Sequence, residues 1–347
     1  MREPVQKIRI FEDRDRRIGH SEHNVHVATG VNIHKKTAVA PVGLLQPLDT
    51  EVIKLQREKQ QALQEHLAQV LGRPFFTAPG FVLYNRDSVD SLKRLATTKA
   101  RIDLTITSPP YNIGKEYEKE LSVTEYVDWC ADWMTAIHSV TTENGAFWLN
   151  LGYLPVPDVG LCVPIPYLLW NRSPFYLLQE LVWAYGAGVA TKSRLSPRNE
   201  KWLFYVRNAN SYTFNLDEIR DPNVKYPNQK KNGKFRCNPL GKNPSDVWGI
   251  PKVTTGALRS SQERTSHPAQ FPLALVERIT RAGSNVGDVV VDPFAGSCSA
   301  GIAASALGRV FVGFELREDY CAMAASRYET FNRERAQGSA QESMFQP

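Results

Sequence analysis

A short motif with chemical potential, Ser108-Pro109-Pro110-Tyr111, directly follows an apolar, β-branched run at residues 104–107. The run predicts a buried strand, and the two prolines prevent both its continuation and an immediate helix. The motif therefore lies at the C-terminal edge of a strand, where open α/β sheets place ligands. A hydroxyl, a carbonyl outside any strand pairing and an aromatic ring, fixed together, are suited to holding a planar base with an exocyclic amine.

Such an amine is a poor nucleophile, because its lone pair is delocalised into the ring. The Ser108 hydroxyl oxygen and the Pro109 carbonyl oxygen can accept hydrogen bonds from its two N–H groups. These hydrogen bonds favour a pyramidal nitrogen, which can attack a methyl sulfonium in line. Tyr111 can stack on a base that has been taken out of the duplex. A four-residue motif also recurs by chance, and taken alone it is better explained as a strand end without chemistry.

A second motif changes that balance. Residues 288–300 contain an apolar strand, a glycine turn and the start of a helix, with the string D-P-F-A-G-S at 292–297. With these two motifs the chain resembles the DNA amino-methyltransferases, which methylate cytosine N4 or adenine N6 with S-adenosylmethionine. The first motif resembles their catalytic motif and the second their cofactor loop, in the order of the family's beta group. The resemblance covers roughly residues 80 to 330.

The resemblance implies a site as well as a reaction. The implied catalytic residues are Ser108, Pro109, Pro110 and Tyr111. The implied cofactor-binding residues are Asp87, Thr107, His267, Phe271, Pro272, Asp292, Pro293, Phe294, Ala295, Gly296, Ser297, Cys298, Glu315 and Leu316. Among these, Glu315 is expected to accept both ribose hydroxyls, and His267 to cap or position rather than to act as a base. No metal is implied.

Two positions depart from the family pattern. The cofactor loop carries Cys298 where the family commonly has glycine, and we expect its larger side chain to narrow the pocket or to weaken cofactor binding. At the end of the first strand, Arg86 precedes Asp87 where the family usually has glycine. Asp is also a favourable helix N-cap, which accounts for Asp87 without any ligand.

Other chemistries compete with this interpretation. An acidic residue about 20 positions past a glycine turn also occurs in dinucleotide sites. Here, however, the middle glycine of G-x-G-x-x-G is missing, and Asp292 would repel a pyrophosphate. Methylation of cytosine C5 needs a thiolate, typically in a Pro-Cys pair, and none of the five cysteines follows a proline.

The target base is predicted from the residue before the prolines. Family members with Ser there are more often cytosine-N4 enzymes, and those with Asp are mostly adenine-N6 enzymes, so Ser108 favours N4 of cytosine in duplex DNA. Adenine N6 stays an alternative, as does a DNA-binding relative whose catalysis is impaired at the cofactor loop. The expected partners are double-stranded DNA and a cognate restriction endonuclease, with the chain as monomer or homodimer.

The positioning elements follow from local patterns. Apolar runs predict strands at 81–84, 104–107, 145–151, 201–206, 288–292 and 310–315, and a strand or helix end at 177–184. Helices are predicted at 50–71, 88–95, from a Ser122–Glu125 capping box, from 273, and after 298. Strands that alternate with helices predict a doubly wound, mostly parallel sheet, of the Rossmann-like methyltransferase type.

Residues 207–264 interrupt this pattern. From 223 to 264 there are nine lysines and arginines against two acidic residues, a local net charge of +7. Such a segment suits phosphate contacts, although a charge run is often only a solvated loop. The resembled family has its target-recognition insert here. The expected DNA contacts are Lys225, Lys230, Lys231, Lys234, Arg236 and Lys242.

The predicted organisation has five segments. They are an N-terminal extension with one long helix (1–78), a catalytic half (79–206), the insert (207–264), a cofactor half (265–330) and a polar tail (331–347). A net charge of +6 fits a polyanionic partner. Scattered cysteines and a charged start without an apolar leader predict a reduced, soluble protein of the cytoplasm. Residues 1–48 look unpatterned, and no cysteine or carboxylate at metal-ligand spacing accompanies their four histidines.

Overall fold

The computed structural model describes residues 50–344, except for 116, 117, 119, 189 and 255–262. The predictions for residues 1–48, including the histidines, lie outside the described residues. So does part of the insert.

The described chain is built on one mixed sheet. Its strands are β1 (Phe76–Ala78), β2 (Phe81–Asn85), β3 (Ile102–Thr107), β4 (Thr141–Leu151), β7 (Tyr176–Ala184), β8 (Asn199–Val206), β11 (Val247–Gly249), β12 (Val289–Asp292) and β13 (Val310–Glu315). Their order across the sheet is β1-β2-β13-β12-β3-β4-β8-β7-β11. Of the eight neighbouring pairs among the described residues, five are parallel and three antiparallel. The prediction of a mostly parallel sheet is confirmed.

Helices cover both faces of this sheet. They are α1 (Thr50–Leu71), α2 (Ser88–Ala96), α3 (Val123–Val140), α4 (Ile165–Leu169), α5 (Leu273–Gly283), α6 (Ser299–Ala306) and α7 (Glu318–Met344). Apolar side chains of α1 to α4 form one buried cluster with one face of the sheet, and those of α5 to α7 form a second cluster with the other. Burial on both faces explains why the central strands are apolar throughout.

Local signals in the sequence place several of these elements correctly. The capping box is present at α3, where the Ser122 side chain accepts from Glu125 N and the Glu125 side chain accepts from Ser122 N. Helix α1 ends at Leu71 as predicted, followed by Gly72 with a φ of 84°. Residues 177–184, for which the sequence allowed either a strand or a helix end, belong to the strand β7.

Other elements have no counterpart among the predictions. A hairpin of β5 (Tyr153–Val156) and β6 (Gly160–Pro164) follows β4, and α4 follows the hairpin. The basic insert contains a second small hairpin, β9 (Lys230–Lys231) with β10 (Lys234–Phe235). It also supplies β11, which pairs parallel to β7 at the edge of the main sheet. The three-residue β11 lacks a local pattern, because its pairing depends on a distant strand.

The parallel strands bring the two motifs together. In the sheet β12 lies between β13 and β3, with Val290 beside Leu104 and Val291 beside Thr105. The strands therefore end at the same edge, with Asp292 and Thr107 as their last residues. The described helices include none with the length and apolar character needed to cross a bilayer.

Candidate active site

A cavity of about 470 Å³ opens at the C-terminal edge of the parallel strands. Both motifs contribute to its wall. From the catalytic motif it is lined by Ser108, Pro109, Pro110 and Tyr111. From the predicted cofactor set it is lined by Asp87, His267, Phe271, Asp292, Pro293, Phe294, Ala295, Gly296, Ser297, Glu315 and Leu316. Pockets of this size accommodate nucleoside-sized ligands.

In the catalytic motif, hydroxyl groups are linked in one direction. The Ser108 hydroxyl donates to the Tyr111 hydroxyl oxygen at 3.0 Å, and the Tyr111 hydroxyl donates to Asn150 Oδ1 at 2.7 Å. Asn150 Nδ2 in turn donates to the Lys201 carbonyl oxygen at 3.1 Å. Because Asn150 Oδ1 can only accept, the chain is polarised away from Ser108. The lone pairs of Ser108 Oγ stay available to a donor in the cavity.

The loop that carries this motif is fixed by its own polar groups. The Glu118 carboxylate accepts from the backbone N–H groups of Tyr111 at 2.9 Å and Ile113 at 2.7 Å. Asn112, at a φ of 59°, is buried and bonds through its side-chain amide to both backbone groups of Leu121. The Tyr126 hydroxyl donates to the Pro110 carbonyl oxygen at 2.9 Å. The Pro109 carbonyl oxygen accepts no hydrogen bond from the described residues.

Asp292 connects the two motifs. Its Oδ1 accepts from Thr107 Oγ1 at 2.6 Å and from Phe294 N at 3.1 Å. Burial raises the pKa of this carboxyl to about 7, against the opposing effect of the Thr107 hydrogen bond. Thr107 is itself buried and does not line the cavity. Thr107, predicted to bind the cofactor, therefore orients Asp292 from behind the cavity wall.

Glu315 closes the other side of the glycine loop. Its Oε2 accepts from Gly296 N, and its Oε1 from Arg317 N, both at 2.9 Å. Burial raises the pKa of Glu315, and the backbone hydrogen bonds oppose that change. Gly296 has a φ of 49°, and a Cβ there would lie 2.8 Å from His267 Nε2. The turn therefore requires glycine, both for its backbone conformation and for its space.

Cys298 does not narrow the cavity, contrary to expectation. Its side chain is fully buried in the apolar cluster beneath α6, and the cavity wall includes Ser297 and Ser299 instead. Burial raises the pKa of its thiol well above the usual range. Its φ is 54°, in the left-handed region where glycine is favoured. The difference from glycine is therefore one of backbone strain rather than of pocket shape.

His267 lies against the glycine loop as a neutral ring. Burial lowers its pKa to about 4, with Arg317 and Arg327 as further causes. Its Nδ1 accepts from Ala269 N at 3.2 Å, and its ring is 4.6 Å from that of Tyr320. A base this weak does not suit general-base catalysis near neutral pH. The contacts agree with the expected positioning role, which stays a prediction.

The remaining predicted residues have mixed placements. Asp87 caps α2 by accepting from Asp90 N at 2.8 Å, and it also lines the cavity. Phe271 packs against Trp202 with ring centroids 5.1 Å apart. Pro272 is the N-cap of α5 and does not line the cavity. It stands behind the wall as the start of a helix.

Several lining residues were not predicted from sequence. The cavity is also lined by Asn150 of β4, Trp183 of β7, Tyr185 directly after β7, Glu200 of β8 and Lys252 of the loop after β11. They come from four separate stretches of the chain, and none belongs to either of the two motifs. The strand order of the tertiary structure brings them together, so no local signal could have identified them.

The predicted DNA-contacting residues lie away from the cavity. Lys225, Lys230, Lys231, Lys234, Arg236 and Lys242 are all exposed. Lys230 Nζ lies 4.6 Å from the centroid of the Phe235 ring within the β9–β10 hairpin. Lys242 pairs with Asp221 at 3.0 Å. The insert thus presents a solvated basic surface, whose role stays a prediction.

Comparison with known proteins identifies relatives of this chain. A family model described as "DNA methylase", for the N6/N4 methyltransferases, matches residues 102–326. The type II methyltransferase M.ScaI of Streptomyces caespitosus is 56% identical over 275 residues, which cover 78% of this chain and 90% of that protein. The DNA adenine methyltransferase YhdJ of Escherichia coli is 32% identical over 252 residues, which cover 70% and 81%.

Solved structures share the fold. The PvuII DNA methyltransferase, described as cytosine-N4-specific, matches with a TM-score of 0.58 and 20% identity, covering 75% of this chain and 93% of that one. A Thermus thermophilus protein described as a DNA modification methylase, solved in complex with S-adenosyl-L-methionine, matches with a TM-score of 0.51 and 23% identity, covering 72% and 93%.

Proposed function

The chain belongs to the DNA amino-methyltransferases, and from this premise we propose that it transfers a methyl group from S-adenosylmethionine to N4 of cytosine within a specific duplex DNA sequence. The observation that carries the proposal is the shared cavity. The amine-binding motif ends β3, the glycine loop follows the adjacent β12, and both line one space at the edge of the sheet.

The residues of the glycine loop fit the methyl donor. Glu315 offers acceptor oxygens beside the loop, as ribose hydroxyls need, and Asp292 lies within the same wall. Burial raises the pKa of both carboxyls, and a cationic ligand stabilises their ionised forms whereas a pyrophosphate destabilises them, so this wall favours a cation. Gly296 lets the backbone approach the cavity without a side chain. We therefore assign Asp87, His267, Phe271, residues 292–297, Glu315 and Leu316 to the donor, with Thr107, Pro272 and Cys298 supporting them from behind.

In the proposed mechanism, S-adenosylmethionine held by the glycine loop would supply a methyl group bound to a sulfonium. The amine nitrogen would attack this methyl carbon in line, the carbon–sulfur bond would break with its electron pair staying on sulfur as a neutral thioether, and the surplus proton of the amine would pass to water. Ser108 Oγ and the Pro109 carbonyl oxygen accept hydrogen bonds from the two N–H groups of the amine. These hydrogen bonds localise the nitrogen lone pair and direct it across the cavity. Tyr111 orients the Ser108 hydroxyl and presents its ring to the extruded base.

Cytosine is proposed as the base because Ser108, rather than Asp, precedes the two prolines. Adenine N6 is the second candidate, and the 32% identity to an adenine methyltransferase favours keeping it. A DNA-binding relative without catalysis is less well supported, because the Cys298 side chain that suggested it lies outside the cavity. Calorimetric titration with S-adenosylmethionine separates that alternative, since such a relative would bind none.

The basic insert is proposed as the DNA-contacting surface. Its six predicted residues are exposed and carry charge without lining the cavity, as expected of side chains that contact phosphates. The similarity to a type II methyltransferase of Streptomyces caespitosus supports a role beside a cognate restriction endonuclease. In such a pair, methylation of the recognition sequence protects the host DNA.

Methylome sequencing of a host that expresses the protein tests the proposal. We expect N4-methylcytosine at one recurring sequence, absent from cells that carry the Tyr111→Ala variant, which removes the stacking face. If N6-methyladenine is found at a recurring sequence instead, the target is the second candidate, adenine N6. An unmodified genome, with the protein expressed and folded, would contradict the proposed activity.

A further inference from the structure

The half of the cavity opposite the glycine loop carries a second, distinct set of side chains. The glycine loop lies beside β3 on the β12 and β13 side. On the β4, β8 and β7 side the cavity is lined by Trp183, Tyr185, Glu200 and Lys252. These four combine two aromatic faces with one ion pair, and none of them is used in the mechanism above.

The strand register aligns this set with the catalytic motif. Asn150, which holds the Tyr111 hydroxyl, is the cross-strand partner of Trp202, and Glu200 is two residues from Trp202 on the same strand. Glu200 is in turn the partner of Trp183 on β7. Residues opposite each other, and residues two apart, project from one face of a sheet. Glu200 therefore lies on the same face as Asn150 and one strand beyond it.

The ion pair is held tightly. Lys252 Nζ bonds to Glu200 Oε1, and the two side chains are only 20% and 15% exposed. The ammonium lies 4.0 Å from the centroid of the Tyr185 ring and 5.4 Å from that of Trp183. The rings are fixed in turn, because Trp183 Nε1 donates to the Ile250 carbonyl oxygen at 2.7 Å and the Tyr185 hydroxyl to that of Asn199 at 3.1 Å.

This arrangement leaves donor capacity facing the cavity. An ammonium group has three N–H bonds, and within the described residues Glu200 is the one hydrogen-bond acceptor that Lys252 meets. A partly desolvated charge with free donors favours an acceptor on the ligand. Glu200, which holds the ammonium, is on β8, two strand spacings or roughly 10 Å from the β3 strand that precedes Ser108. A pyrimidine that makes one hydrogen bond of about 2.9 Å from its exocyclic amine and another from its O2 carbonyl oxygen has a span of this order.

Building on the proposed function, we propose that Lys252, anchored by Glu200 between Trp183 and Tyr185, recognises the ring edge of the target base and selects cytosine. With the exocyclic amine at Ser108, the ammonium donates to the O2 carbonyl oxygen, which lies beyond N3 at the other end of the same ring edge. Adenine has a C2–H group on the ring edge beyond N1, and it leaves the ammonium without an acceptor. Thymine has a carbonyl where Ser108 requires an amine.

The test compares two substrates rather than one. Once the recognition sequence is known, kcat/KM is measured on that duplex with cytosine at the target position and on the same duplex with adenine there. We expect Lys252→Met to lower kcat/KM for cytosine roughly 10- to 100-fold, the range for a lost charged hydrogen bond, and to leave the residual rate on adenine unchanged. The ratio of the two rates therefore falls by the same factor.

The control is Lys93→Met. Lys93 lies in α2, pairs with Asp132 at 2.8 Å, and does not line the cavity. We expect this variant to keep both rates. If Lys252→Met fails to fold, as judged by its thermal unfolding, Glu200→Gln takes its place, since it removes the anion that holds the ammonium. The same fall in the ratio is expected.

The outcomes separate this inference from the proposed function. A wild-type protein that methylates no cytosine contradicts the proposed function itself. A wild-type protein that methylates cytosine, with variants that keep the rate ratio or lose both rates equally, overturns the role of Lys252 and leaves the proposed function standing. The affinity of both variants for S-adenosylmethionine is measured by calorimetric titration. If this affinity falls by the same factor as kcat/KM for cytosine, the result also argues against base recognition.

Discussion

At the scale of single residues, Ser108 and Tyr111 act as a pair. The hydroxyl of Tyr111 is committed to Asn150 and at the same time accepts from Ser108. The tyrosine therefore determines where the serine hydrogen points. This explains how a neutral serine can serve as an acceptor for an amine, a task that a carboxylate performs without help.

Removal of either hydroxyl should impair catalysis more than binding. We expect Ser108→Ala to lower kcat on the order of 10²-fold, as for other lost groups that stabilise a transition state, with unchanged donor affinity. Tyr111→Phe keeps the ring and frees the Ser108 hydrogen, so a smaller loss is expected, whereas Tyr111→Ala removes the stacking face and should abolish transfer. The rates are measured with radiolabelled donor. Full activity of Ser108→Ala would exclude the assigned role.

Asp292 gives the protein a specific dependence of stability on pH. Its carboxyl has a pKa of about 7 in the folded chain, raised by burial from a usual value of 3.8. The folded state therefore binds this proton more tightly than the unfolded state. The free energy of unfolding should fall as the pH rises from about 4 to about 7, and this contribution is constant above that range.

The isosteric change Asp292→Asn should remove this dependence. Its Oδ1 can still accept from Thr107 and Phe294, but no buried charge forms. At pH 8 we expect the free energy of unfolding of the variant to exceed that of the wild type by up to a few kcal/mol, so the variant is more stable there. Near pH 4 we expect this difference to disappear. Urea unfolding of the ligand-free proteins measures it. A difference that does not change with pH would show that Asp292 keeps an ordinary pKa.

At the scale of elements, the turn between β12 and α6 is the strictest part of the site. We expect Gly296→Ala to weaken donor binding at least tenfold, because the added Cβ lies 2.8 Å from His267 Nε2 and the φ is 49°. Gly308→Ala is the matched control, since Gly308 also has a positive φ, of 75°, but lies in the turn before β13. Calorimetry measures both affinities. Equal affinities would mean that the loop tolerates a side chain.

The β9–β10 hairpin is the second element with a testable role. We expect replacement of Lys230, Lys231 and Lys234 by Ala to weaken DNA binding and to reduce the slope of log affinity against log salt by about 0.9 per lost phosphate contact. The control replaces Lys59, Lys93 and Lys99, which are equally exposed but lie in or near α1 and α2. Fluorescence anisotropy across a salt series gives the slopes. An unchanged slope in the hairpin variant would show that the DNA phosphates contact another surface of the protein.

At the scale of the whole molecule, the site joins distant parts of the described chain. The proposed donor side depends on β12 and β13 and the proposed acceptor side on β3, β4 and β8, all within one sheet. A ligand that binds across this edge stabilises the folded state as a unit. We expect S-adenosylmethionine at one hundred times its Kd to raise the free energy of unfolding by about 2.7 kcal/mol.

Thermal unfolding measures this effect as a rise in Tm of several degrees. The Gly296→Ala variant at the same donor concentration should show a smaller rise, because its affinity is lower. An identical Tm with and without the donor would contradict binding at this edge. The same measurement without donor checks that the variant is folded.

Much of the site could be predicted because its motifs are local. The strand before Ser108, the strand before Asp292 and the strand before Glu315 each show their apolar run and their terminating residue in one short stretch. Parallel strands end at one edge, so their last residues meet there. The expectation that Cys298 narrows the pocket was wrong, because the direction of its side chain takes it into the buried core, and its effect on cofactor binding stays a prediction. A residue type alone does not give that direction, because it depends on φ.

The sequence by itself determined the helices and central strands, the edge at which the two motifs lie and the kind of reaction they suit, since periodicity, capping and turn residues act over a few neighbours. Only the tertiary structure decided that Asn150 orients Tyr111, that Thr107 supports Asp292, and that Glu200 and Lys252 face the same cavity. These contacts join residues far apart in the chain. They exist only after the strands have taken their order in the sheet.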